Sequence, residues 1–442
     1  MLKKLFGSDK QEPPRRSAAQ IAAARKKSGQ RNAEKRTESN RRHRVRLPVK
    51  DLRVGMFVVE LDKPWEESGF MLQGLDIKSS NEILQLQREC EYVYVDYDEF
   101  SLKSATKAEA NEVAAGNTNS DALVSVEEEY SAAAGMHKMA SKTVSSLFEE
   151  MRLGAEVNSG KVKAVVDDCV DSIVRNPDAS VWLTRIQAKD EGTAQHSLNV
   201  AALSIVLGKT LKLTTKELED LGVCAMLHDI GKTSIPIELL RKTTALTEDE
   251  NKLMMTHCRA GRDLLVSTSS VSTGAADVAY THHERPDGKG YPRGLTAEKI
   301  PRYSKIVAIA EAYDVITTTQ PYREAISASQ ALQELYKARG TQFDEELVIS
   351  FIDSIGIFPP GSIVEMINGE IGIVLSNTND KLRPKVIMIL DAIKDAAQQI
   401  VVDLSQMEVD SQNNVYQIKT TLPDGSYGIN VEEFQRAGLR VG

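Results

Sequence analysis

The sequence predicts a mainly α-helical protein: a helical bundle preceded by a small α+β domain and followed by a small β-rich appendage. Three observations carry that expectation. Apolar residues recur at i, i+3, i+4 spacing through most of residues 131–355. The flanking segments switch to the alternating, Val- and Ile-rich texture of strands. A chain of 442 residues is too long for one ordinary domain, and its 41% hydrophobic content is enough for real cores.

The elements follow in order. Residues 1–43 mix Ala, Gln, Ser, Lys and Arg and read as a basic flexible arm, because they cannot bury enough apolar area to offset ordering. Residues 44–102 form the α+β unit. RVRLPVKDLRVGMFVVEL and EYVYVDY read as strands, and SSNEILQLQREC as a helix with Ser80 as N-cap. Residues 103–130, rich in Ala, Asn, Ser and Glu, read as a linker. Within 131–355, SLNVAALSIVLGKTL, LEDLGVCAMLHDIG, SKIVAIAEAYDVIT and ASQALQELYKA carry the helical spacing. In 356–442, GSIVEMINGEIGIVLS reads as two strands around Asn368-Gly369, a favoured hairpin turn.

Composition excludes several classes. A net charge of −8 gives no overall case for nucleic-acid binding. Four dispersed cysteines without a CxxC pair argue against a disulfide framework or a structural zinc site and fit a reducing cytoplasm. No apolar run is long enough for a membrane span, and the N-terminus lacks a signal-peptide core.

Five of the seven histidines fall between His196 and His283. His228 is followed by Asp229 in LHDIGK, and the doublet His282-His283 opens HHERPDGKGYP. His196 and His257 lie on further helical segments. Imidazoles joined to a carboxylate suit a borderline transition metal, and a bundle builds such a site from facing helices. Two metals roughly 3.5–4 Å apart would hold a bridging hydroxide and clamp a phosphoryl oxygen. Lys232 places an ammonium near a phosphate oxygen. Arg285, Lys289 and Arg293 add cations beside the doublet, and glycines in that loop permit close approach to a ligand. Met254-Met255, Cys224, Cys258, Trp65 and Trp182 read as packing residues.

These motifs resemble the HD-GYP phosphodiesterases, a branch of the HD phosphohydrolases. The matching segments are QHSLNV, HDIGK, His257, HHERPDGKGYP and AYDVITTTQPYR, spanning roughly residues 185–330. The α+β unit is similar to a small domain that often precedes HD-GYP. The resemblance implies an HD-type bundle that hydrolyses cyclic di-GMP to the linear dinucleotide or GMP. The implied centre holds iron or manganese. Carried over, His196, His228 and Asp229 hold one metal and His257, His282 and His283 the other, with Asp229 bridging and Glu311 a further ligand. Asp229, Lys232 and Asp314 become the candidate catalytic residues. Lys232, Arg285, Lys289, Gly290, Tyr291, Pro292, Gln320 and Arg323 become the candidate substrate contacts.

Three departures stand out. The family places Asp where this chain has Glu311, whose extra methylene shifts the oxygen by about one bond length. It places Arg at Gln320, a loss on the order of 1.5–3 kcal/mol of ligand binding. A glutamate that supports a third metal is Gly192 here, with Glu191 one step away, so two metals are expected. Two other readings stay open: a weakly active sensor of cyclic di-GMP, and a scaffold whose loop docks a GGDEF-type synthase. Homodimerisation through the helical region is an expectation at the level of the family.

Overall fold

A computed structural model of the chain describes residues 44–52, 57–63, 75–77, 80–96, 124–185, 192–268, 272–318, 325–407, 409, 416–423, 425–429, 431 and 434. The arm at 1–43, Trp65, Glu191, Gln320 and Arg323 lie outside these residues. The chain divides into two compact units, 7–118 and 119–442.

In the first unit, β1 (Arg44–Pro48), β2 (Phe57–Leu61), β3 (Leu75–Asp76) and β4 (Tyr92–Asp96) pair antiparallel in the order β1-β4-β2-β3. Helix α1 (Ser80–Glu89) begins at the residue read as its cap. Val58, Leu61, Ile77, Leu86 and Val93 form the core, the inward half of the alternating pattern.

The second unit opens with α2 (Val126–Arg152), α3 (Ser159–Arg175) and α4 (Pro177–Thr184). Helix α2 starts inside the stretch read as linker. Ser125 and Glu128 form a capping box, and Tyr130 packs edge-on against Trp182 at 6.4 Å. The central helix is α5 (Gly192–Thr210), buried along most of its length. Its lack of a polar face is what a helix enclosed on all sides needs. Around it lie α6 (Thr215–Leu227), α7 (Ile237–Leu240), α8 (Glu248–Met255), α9 (His257–Ser267), α10 (Thr273–Thr281), α11 (Arg302–Thr317), α12 (Ala328–Ala338) and α13 (Glu345–Ile355).

The C-terminal strands β5 (Ile363–Met366), β6 (Ile371–Ser376), β7 (Lys385–Leu390), β8 (Val401–Asp403) and β9 (Ile418–Leu422) form an antiparallel sheet ordered β8-β7-β6-β5-β9. The β5–β6 connection turns at Asn368-Gly369, with Gly369 at φ +91°. This β-rich C-terminal part packs onto the helices. One face places Ile363, Ile371, Ile373 and Leu375 in a single core with Tyr130, Ala179, Trp182 and Leu183. The other face is closed by Leu404, Tyr416 and Ile418. Both faces are buried, so β6 reads as continuous apolar residues. Trp182 is 0% exposed and donates Nε1–H to the Leu375 carbonyl at 2.7 Å.

Trp182→Ala removes that packing and bond together and should cost roughly 3–5 kcal/mol of stability. Chemical denaturation checks it; a loss under about 1 kcal/mol would mean that helices and sheet do not share this core.

Candidate metal centre and active site

Three helices end at one point. Helix α6 stops at Leu227, α8 at Met255 and α10 at Thr281. Just beyond them stand His228, His257 and the doublet His282-His283. A helix leaves its last carbonyls without intrahelical partners, and three of these rings use one. Nδ1 of His228, His257 and His282 lies 2.6, 2.7 and 3.0 Å from the carbonyls of Ala225, Met254 and Val278. Donating Nδ1–H there fixes the tautomer and leaves each Nε2 lone pair facing inward. Three helix C-termini also direct negative partial charge at the same centre, which favours a cation.

Helices α5 and α11 complete the ring. His196 from α5 donates Nδ1–H to Asp314 Oδ2 at 2.7 Å. Glu311 and Asp314 sit one turn apart on α11. Glu311 reaches the centre, with Oε1 at 3.7 Å from His283 Nε2, while Asp314 stands behind His196. The turn Ile230–Ser234 lies so close to α9 that a Cβ on Gly231 would collide with the His257 carbonyl and the Gly261 backbone. Only glycine lets the Asp229 turn seat there.

Asp229 occupies the middle, fully buried. Its Oδ1 lies 3.4 Å from His257 Nε2 and 3.8 Å from His282 Nε2. Its Oδ2 lies 3.4 Å from His228 Nε2 and 3.7 Å from His196 Nε2, and pairs with Lys232 Nζ. Two donor groups result: His196, His228, Asp229 and Glu311; and His257, Cys258, His282 and His283. Within each, the donor atoms lie within 4.8 Å of one another, a span that ligand bonds of about 2.0–2.3 Å can close around one ion. His228 Nε2, Asp229 Oδ1 and His283 Nε2 are buried without a hydrogen-bond partner. Orphaned acceptors of this kind, in a set of imidazoles and carboxylates, fit a divalent metal.

The electrostatics differ between the two donor groups: at His228 burial would lower the imidazole, but the Asp229 charge outweighs it and raises it. Burial pulls His257 down to about 4, and holds His282 and His283 well below the ordinary imidazole range with help from neighbouring imidazoles. These rings are neutral and ready to ligate. Burial alone would raise the Asp229 carboxyl, but Lys232 and His228 outweigh it and keep Asp229 ionised. Burial raises the Glu311 carboxyl, and the Asp229 charge adds to that against the opposing pull of His228. Burial also pushes the Cys258 thiol up.

The loop after the doublet folds back on it. Glu284, 3% exposed, accepts the backbone N–H of Arg293 and Leu295, both at 2.7 Å. Tyr291 stacks on His283 at 4.6 Å, and its N–H donates to the His283 carbonyl at 3.2 Å. The Tyr291-Pro292 peptide is cis. A Cβ on Gly290 would collide with the backbone of residues 283–285. The close approach that Gly290 permits is therefore to the doublet itself, not to a ligand.

The structure brings together every histidine and carboxylate expected as a ligand. It places other residues differently from the sequence reading. Asp314 orients His196 and does not face the centre. Lys232 is engaged by Asp229. Arg285 pairs with Asp287 through bonds of 3.0 and 2.6 Å. Lys289 and Pro292 are exposed at the loop tip. Sequence reasoning missed Cys258, whose Sγ lies 3.5 Å from His257 Nε2, and also Glu284 and Asn199. Asn199 donates to Asp314 Oδ1 at 2.8 Å; its position one turn after His196 was the available signal.

Gly290→Ala should cost roughly 1–3 kcal/mol through overpacking and displace His283. Denaturation and bound-metal analysis check this. Unchanged stability with full metal content would show that the loop does not hold the doublet.

An HD-domain family model matches residues 180–347, and a domain of unknown function matches residues 44–162. The chain is 34% identical over 371 residues to a cyclic di-GMP phosphodiesterase of Pseudomonas aeruginosa, covering 82% of this chain and 89% of that one. It is 38% identical over 165 residues to a cyclic di-GMP phosphodiesterase response regulator of Xanthomonas campestris, covering 37% and 43% of the two chains. A cyclic di-GMP phosphodiesterase of Thermotoga maritima matches at 34% over 165 residues, covering 37% and 45%. With likeness to the Pseudomonas enzyme running through nearly the whole of both chains, this protein belongs to the HD-domain cyclic di-GMP phosphodiesterase family.

Proposed function

We propose that this chain hydrolyses cyclic di-GMP at a two-metal centre. Asp229 carries the reading: one buried carboxylate whose two oxygens face two separate donor groups. A carboxylate shared between cations roughly 3.5–4 Å apart takes this form. His196, His228, Asp229 and Glu311 would hold one ion. His257, His282 and His283 would hold the other, with Asp229 shared. Imidazole and carboxylate donors suit iron or manganese. Bound there, the pair supplies a nucleophile from water at neutral pH and neutralises charge on the phosphoryl group.

The chain's own residues do the rest. A small hollow of about 20 Å³ lies beside His282, His283 and Glu311, with Arg285 at its rim. Ala308, Ala312, Val315 and Phe343 give it an apolar wall. Lys232 neutralises Asp229, and its ammonium would be placed to meet a phosphate oxygen with a metal bound. His196 is held in one tautomer by Asp314, so its Nε2 stays available as a donor. The substrate follows the Pseudomonas relative, named for cyclic di-GMP.

A second reading, a sensor with little turnover, is favoured by Glu311, whose longer side chain belongs to the first donor group and also comes within 3.7 Å of His283 Nε2. The exposed loop tip at Lys289, Pro292 and Arg293 is the surface a GGDEF-type synthase would dock on. Among the described residues no helix is long and apolar enough to cross a membrane. The four cysteines are free and buried, which supports a reducing, cytoplasmic location.

The deciding measurement is hydrolysis of cyclic di-GMP by protein loaded anaerobically with iron or manganese. His228→Ala and Asp229→Ala should each lower turnover about 100-fold or more. Tight binding without turnover in the parent, with two metals bound, would replace the enzyme by the sensor. Ala308→Phe should fill this hollow and raise KM about tenfold or more with metal content unchanged. An unaltered KM would place the substrate elsewhere.

A further inference from the structure

A directed chain of buried hydrogen bonds runs from helix α2 to His196. Ser141 Oγ donates to Gln195 Oε1 at 3.1 Å. Gln195 Nε2 donates to Asn199 Oδ1 at 2.8 Å and faces His137 Nε2 at 3.3 Å. Asn199 Nδ2 donates to Asp314 Oδ1 at 2.8 Å and to the Thr184 carbonyl at 3.2 Å. Asp314 Oδ2 then accepts from His196 Nδ1. His137, Ser141, Gln195, Asn199 and Asp314 are all buried, so water cannot substitute for a missing partner.

The polarity of this chain allows one arrangement. Turning the Gln195 amide over would set Oε1 against Asn199 Oδ1, acceptor against acceptor. Turning Asn199 over would set its oxygen against Asp314 and the Thr184 carbonyl. The Asp314 carboxylate, which presents only acceptors, is held in place through Oδ1 by the Asn199 N–H. His196 must then carry its proton on Nδ1, which leaves the Nε2 lone pair toward Asp229. A network that merely satisfied buried amides would not need a direction ending on a ligand nitrogen.

We propose that Gln195 and Asn199 are positioning residues for the metal centre, anchored on α2 by His137 and Ser141. By holding Asp314 in place they fix the ring orientation of His196. Both anchors lie within the residues that match a domain of unknown function. The end of that matched region thus acts in the support of a candidate ligand. The proposal rests on the metal-centre reading above.

The test is Mn2+ affinity, measured by titration calorimetry on chelator-treated full-length protein. Gln195→Glu and Asn199→Asp keep the side-chain shape and reverse the polarity. Each should weaken Mn2+ binding by about 10–100-fold in protein that still folds, with the KM for cyclic di-GMP at saturating Mn2+ unchanged; the buried carboxylate lowers the melting temperature. Gln195→Glu and Asn199→Asp that bind Mn2+ as tightly as the parent overturn the relay. If either fails to fold, Ser141→Ala and His137→Phe on α2 decide. A loss of Mn2+ affinity without a loss of fold supports the relay, and unchanged affinity overturns it. A parent protein that takes up no Mn2+ overturns the metal-centre reading and the relay together. Parent uptake with unchanged variants overturns the relay alone.

Discussion

The burial of the Asp229 carboxylate constrains everything around it. Taking an ionised carboxylate out of water costs several kcal/mol, which only close positive or hydrogen-bonding partners offset. Lys232 supplies one, while Oδ1 has no hydrogen-bond partner. The arrangement is unfavourable for stability alone, because an apolar side chain of similar volume would pack without the penalty. Groups held at such cost, with shifted ionisation and orphaned acceptors, are concentrated at functional sites.

Helix ends explain how so few residues converge so closely. Each of α6, α8 and α10 has last-turn carbonyls that need donors, and each supplies a histidine at or just past its end to provide one. The ligand orientation is therefore a by-product of capping. The same ring that satisfies its helix is locked with Nε2 outward. Gly231 allows the turn bearing Asp229 to touch the start of α9, and Glu284 ties the loop back onto the doublet through two backbone N–H groups.

What was legible in the sequence was local. LHDIGK, the doublet and the loop after it announce themselves because ligand, turn and glycine are neighbours in the chain. The helical spacing of α5, α6, α11 and α12 was equally direct. What was hidden depends on contacts between distant elements. Asp314 has the residue type of a ligand, and only the packing of α11 on α5 shows that it faces His196 Nδ1. Gln195 and Asn199 look like ordinary helix residues until α2 lies beside them. The C-terminal strands alternate as an independent sheet would, yet Trp182 and Tyr130 fill one of its faces. The start of α2 was readable from Ser125 and Glu128, a local capping box masked by the polar composition around it.

Helix α2 links these layers. Its buried residues Val126, Tyr130, Ala133, His137, Ser141 and Val144 fall at steps of three and four, a stripe along its length. The first part of the stripe, through Ala133, packs into the core shared with the sheet. The next part, His137 and Ser141, is polar and meets Gln195. One rigid face therefore touches the C-terminal sheet and the support of His196. A shift of α2 that repacked Tyr130 against Trp182 would also move the donors on which Gln195 depends. Because the interior is close-packed, such a shift is resisted at both ends at once. Helix α2 is thereby part of the frame that fixes the geometry of the centre.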